Sequence, residues 1–86
     1  MRYISETEAV AMAGETECPV LEKVESDEME AAVCLKQFPN GFVLGISDKQ
    51  NDLVLMFTED PGEAKERYRH YSGLVETAGT PFAGNS

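Results

Sequence analysis

From Ala31 onward the apolar positions alternate with a period of two, break at turn residues, and then shift to a helical period. In Ala31–Phe38, Val33, Leu35 and Gln37 alternate with Ala32, Cys34, Lys36 and Phe38, which is the rhythm of a strand. Pro39-Asn40-Gly41 follows as a turn. Pro39 presets φ for the first corner, and Asn40 and Gly41 tolerate the remaining conformations, with Gly41 expected at positive φ. Phe38 and Phe42 flank this turn and are expected to pair across the strands. Phe42–Ser47 and Leu53–Thr58 then read as two more strands around the polar loop Asp48–Asp52. Phe42, Leu44 and Ile46 should share a face, as should Leu53, Leu55 and Phe57, with Val43, Val54 and Met56 on the opposite one.

The flanking segments extend this meander. Ser5-Glu6-Thr7-Glu8 is a capping box, Ala9–Ala13 continues as helix, and Gly14 suits its end. Pro19 disfavours helix at Cys18, and Val20–Glu25 alternates as an edge strand guarded by charges, with Val20, Glu22 and Val24 on one side. Ser26–Glu30 reads as a turn. A helix from Ser26 or Asp27 through Phe38 fits the same residues, but the hairpin signal downstream favours a strand. Asp60 caps a second helix with Pro61 in its first turn and Glu63 completing a box. Ala64, Tyr68, Tyr71 and Leu74 form its apolar stripe, Gly73 fits its end, and the basic residues Lys65, Arg67, Arg69 and His70 gather toward its C-terminus. The expected fold is therefore α+β, a four-stranded antiparallel β-meander with a short N-terminal helix and a C-terminal helix packed on the sheet. Residues 1–75 would form one domain, and 76–86, rich in Gly and Pro, a flexible tail.

Charge sharpens this picture. The 86 residues carry 16 acids and 7 bases, a net charge of −9. Residues 1–30 hold nine acids against Arg2 and Lys23, a net of −7, while residues 31–86 are nearly balanced at −2. Such charge argues against direct binding to nucleic acid or anionic membranes and favours a basic protein partner. No apolar run approaches the roughly 18 residues that span a bilayer, and Met1–Glu6 lacks the apolar core of a signal peptide. A cytoplasmic setting is expected, in which Cys18 and Cys34 stay reduced rather than bridged.

Candidate chemistry is sparse. His70 is the sole histidine and has no nucleophile or orienting acid assignable from sequence; a helix-end histidine near Glu66 accounts for it. Asp48, Gln50, Asp52 and Glu59 match calcium-loop positions, but Leu53 stands where that loop needs glycine, so these residues read as a hairpin loop. Two cysteines and one histidine are too few for zinc, and no glycine-rich phosphate loop is present. Neither an enzyme nor a cofactor is expected.

By elimination the functional surface is the acidic stretch Glu22, Glu25, Asp27, Glu28 and Glu30, with Met29 as an adaptable apolar contact among them. Carboxylates so placed suit Arg and Lys of a partner, or imitate the phosphate spacing of a nucleic acid. The expectation is a small, non-enzymatic protein-binding module. It would be an inhibitor or regulator, of the kind phages and mobile elements encode, that occupies a basic surface of a larger target. The alternative is a structural accessory subunit or homodimer that uses Val43, Val54 and Met56.

Overall fold

The computed structural model describes residues 1–83, and within them the expected meander is present with one strand added. The elements are β1 (Arg2–Ile4), α1 (Glu6–Ala13), β2 (Val20–Ser26), β3 (Ala31–Phe38), β4 (Gly41–Asp48), β5 (Asn51–Thr58) and α2 (Pro61–Ala78). All pairings are antiparallel, and the sheet has five strands in the order β1-β5-β4-β3-β2 rather than four. The extra strand, β1, is too short for its alternation to register in the sequence. It forms because β5 offers an open edge, where Arg2 pairs with Phe57, Tyr3 with Met56 and Ile4 with Leu55. Ile4 is buried there, and the Arg2 guanidinium stands 5.4 Å from the centre of the Phe57 ring.

β1 and β2 occupy opposite edges, so the connection through α1 crosses one face of the sheet while α2 covers the other. Each face has its own core. Val33, Leu35, Leu44, Ile46 and Met56 pack with Ala64 and Val75 of α2. On the other face Val43, Phe57, Phe38 and Ile4 pack with Ala9 of α1. In β3 the strand period therefore prevails over the helical alternative. The expected grouping of Val43 with Val54 and Met56 fails because of register. Leu44 lies opposite Met56 and Ile46 opposite Val54, which places Val54 and Met56 on the α2 face, while Val43 pairs with Phe57 on the α1 face. Both faces are apolar, and Val43 and Met56 are buried within the chain, so that trio is not an exposed dimer surface.

The β3–β4 turn also differs in its physical basis. Phe38 pairs with Gly41 and Gln37 with Phe42, so the two phenylalanines project from opposite faces and do not pair. Gly41 does not have positive φ. Glycine is required for another reason: a Cβ would lie 2.5 Å from the Thr58 carbonyl oxygen and 2.9 Å from the Phe57 ring.

Both helix caps form, but neither capping box closes. Ser5 Oγ accepts from the Glu8 amide at 3.0 Å, whereas the Glu8 carboxylate turns to Arg2 Nη1 at 2.8 Å, which holds its pKa below the usual value. Asp60 Oδ1 accepts from the Gly62 amide at 2.9 Å, while the Asp60 amide donates to Thr58 Oγ1. Glu63 instead lies 2.6 Å from the Met1 amino group. α2 passes through Gly73 and ends at Gly79, whose φ of 80° and N–H bond to the Val75 carbonyl complete a left-handed cap. The apolar stripe continues past Tyr71 to buried Val75, and packing carries the helix through the glycine. Residues 76–83, read from sequence as part of a tail, include the last turn of α2, fully buried Pro81, and Phe82, which packs against the α2-side core. The remainder of that tail, residues 84–86, lies outside the described residues.

Candidate interaction surface

β2 is an edge strand, and its pairing with β3 decides where the acidic side chains go. Glu22 lies opposite Leu35, Val24 opposite Val33 and Ser26 opposite Ala31, all on the α2 face. Lys23 opposite Cys34 and Glu25 opposite Ala32 lie on the α1 face. A register shift between Val20 and Glu22 sets Val20 opposite Lys36, on the α1 side, and breaks the strict alternation expected along the strand.

The six candidate residues consequently do not form one patch. Glu22 borders a groove of about 780 Å³ between β2 and α2, facing Lys65, Tyr68 and Arg69. Burial, and then the Glu22 charge, push the Tyr68 hydroxyl above its ordinary pKa. Glu25 is held on the opposite face by Lys23, 2.7 Å from Nζ, and this pairing raises the lysine pKa. Asp27, Glu28 and Glu30 occupy the β2–β3 turn, exposed and in no ion pair among the described residues. Met29 belongs to the fold instead. It is half-buried against the α2-side core, and its Cγ lies 3.4 Å from where a Cβ on Gly79 would stand.

This turn is well braced. Its apolar residue points inward while its three carboxylates point out. The Met29 carbonyl accepts from the Lys49 amide at 3.0 Å, which ties the turn to the β4–β5 loop. Glu30 adopts φ 52°, the only non-glycine residue with positive φ among the described residues. Alongside, Asp48 Oδ1 accepts from the Gln50 amide at 2.8 Å and the Asn51 amide at 2.7 Å, and Oδ2 accepts from Thr80 Oγ1 at 2.6 Å. The Thr80 hydroxyl and the Asn51 and Gln50 donors hold the Asp48 carboxyl below its ordinary pKa, against the opposing effect of burial. Asp48 thus joins the hairpin loop to the segment after α2 and closes the loop that resembled a calcium site. Sequence reasoning missed this bond because its partners are 32 positions apart.

The other reactive side chains are dispersed. His70 is exposed on α2 and meets Tyr71 edge-on at 5.1 Å. The depression it borders is lined by Asp60, Gly62, Glu63, Glu66 and Arg67, with no Ser, Thr or Cys. Cys18 and Cys34 are unbridged and half-buried on the α1 side. Among the described residues no three His, Cys, Asp or Glu side chains converge as metal ligands, and no helix is long and apolar enough to cross a membrane. The chain matches no protein-family model, and no curated protein or solved structure is significantly similar to it.

Proposed function

We propose that this chain is a small acidic protein-binding module without catalytic activity, an inhibitor or regulator that presents the β2–β3 turn to a basic surface of a larger target. The observation that carries the reading is the braced turn itself. Asp27, Glu28 and Glu30 form no ion pair among the described residues, and Met29 and the Lys49 amide fix the backbone beneath them. Charges held on a fixed backbone lose little conformational freedom when they meet a partner, so more of their attraction appears as affinity. The net charge of −9 adds long-range steering toward a basic target. Glu22, on the groove beside α2, and Glu25, paired with Lys23, belong to the periphery of this surface.

The reading is tested by capture from host extract at low salt, comparing the tagged wild-type chain with the variant Asp27→Lys, Glu28→Lys, Glu30→Lys. Basic proteins retained by the wild type should be lost with the variant and should elute as salt is raised. A control reversing Glu6, Glu15 and Glu17 changes the net charge equally. Equal retention by both variants and the wild type would defeat the proposal.

A further inference from the structure

The face of the sheet under α1 is only partly covered. α1 has eight residues, which is about 12 Å of helix, and it lies over a sheet whose five strands are spaced about 4.8 Å apart. A groove of about 550 Å³ remains beside it. Small side chains make that space: Ala32, Cys34, Gly45 and Ser47 on the sheet, Ala9 and Ala13 on the helix. Three of the five large apolar residues exposed among the described residues lie on this side, Val10 at 71%, Val20 at 50% and Leu53 at 47%.

We propose that this face is the interface of a symmetric homodimer in which the α1 ridge of each copy enters the groove of the other. Shape supports a second copy as the occupant. Val10 protrudes immediately beside a depression lined by alanines and glycine, so ridge and groove occur on the same surface, as a two-fold interface requires. Charge supports it as well. On this face of the sheet and along α1, Arg2, Lys23 and Lys36 stand against Glu6, Glu8 and Glu25, which balance, and the α1–β2 connector, which borders the groove through Thr16 and Cys18, adds Glu15 and Glu17. Elsewhere the chain holds Lys49, Lys65, Arg67 and Arg69 against many more acids. Two copies of so acidic a chain repel through most orientations, and this nearly neutral apolar face is where that repulsion is least. A small ligand in the groove would leave Val20 exposed, whereas a second copy covers it together with Val10. The proposal does not rest on the acidic turn, which stands at one end of the strands.

Sedimentation equilibrium of the full chain, at physiological and at molar salt, tests it. The expected result is a species of twice 9.5 kDa that persists or strengthens as salt screens the net charge. Val10→Glu and Leu53→Glu, at positions already open to solvent in one chain, should each raise the dissociation constant by about 100-fold or more, because each buries an unpaired charge across the interface. Far-UV circular dichroism should stay unchanged. Tyr3→Glu and Leu21→Glu replace exposed apolar residues off this face and should leave the dimer intact. A monomer at millimolar concentration in both salts overturns the proposal, as does equal dissociation of the control variants. A monomeric wild type that binds one equivalent of anilinonaphthalene sulfonate, with the binding lost in Val10→Glu, would overturn it in favour of a small apolar anion.

Discussion

Gly41 and Gly73 both stand at positions that read as chain breaks in the sequence, yet alanine at each should move stability in opposite directions. Gly73 lies in the interior of α2, and a Cβ there meets nothing within 4 Å. Alanine removes the entropic cost of glycine in a helix and should stabilise by about 0.5–1 kcal/mol. At Gly41 the added carbon would sit 2.5 Å from the Thr58 carbonyl oxygen. Ordinary contact begins near 3.4 Å, so the overlap approaches an ångström, and the obstructing atom is backbone that no rotamer change can move. The first residue of β4 or the last of β5 must shift, along with the Thr58–Asp60 cap beside it. Overpacking of this kind costs about 1–3 kcal/mol. In a domain of this size each kcal/mol corresponds to about 4–8 °C in Tm, so Gly41→Ala should lower Tm by about 4–24 °C and Gly73→Ala should raise it by about 2–8 °C.

Thermal and urea unfolding followed by circular dichroism measure both, and an unchanged urea m-value confirms that the effect is on stability. If Gly41→Ala stays within about 0.5 kcal/mol of the wild type, which is the range of an ordinary surface substitution, the close approach of β4 to Thr58 is not as described. If Gly73→Ala destabilises, the helix does not run through that residue.

Leu44, fully buried at the centre of the sheet, should cost about 2–5 kcal/mol on replacement by alanine, read by the same unfolding assays. Glu30→Gly should stabilise by roughly 0.5–1 kcal/mol, because glycine takes a left-handed conformation without the steric penalty that Glu30 bears at φ 52°; a loss of stability would count against the turn geometry. Asp48 has a depressed pKa in the folded chain, so its contribution is present above the unfolded value, near about 3.9, and is lost as pH falls through the folded one. Asp48→Asn should therefore flatten the acid limb of the Tm–pH curve below about pH 4, and an unchanged limb would show that the Asp48 charge contributes nothing to stability.

What could be read from the chain was local, and what escaped was relational. The period-two runs of β3, β4 and β5, the Ser5 and Asp60 caps and the Pro39-Asn40 turn each lie within a few residues, and each was visible. Faces were harder, because which side of β5 matches which side of β4 depends on the register across the Asp48–Asn51 hairpin, and Val54 and Met56 changed sides on that account. β1 was invisible because three residues carry no period; its formation depends on an edge contributed by a strand some fifty positions away. Gly73 mimicked a helix stop, but Val75 supplied burial beyond it, and packing outweighed propensity.

The acidic surface shows the same division more sharply. In sequence Glu22, Glu25, Asp27, Glu28, Met29 and Glu30 are one cluster, because nearness along the chain is all a sequence displays. In a strand, however, nearness along the chain alternates sides, and β2 sends Glu22 to the α2 face, beside a groove that Lys65 and Arg69 also line, and Glu25 to the opposite face. Only where the chain leaves the sheet, in the turn, can adjacent carboxylates face the same solvent. Met29 is then explained by what surrounds it. An apolar residue among acids looks like a contact for a partner, yet it is the inward anchor that lets three charges stay outward without loosening the turn. Local charge density in the sequence overstates how many of these acids lie together, and the fold leaves only Asp27, Glu28 and Glu30 side by side in the turn.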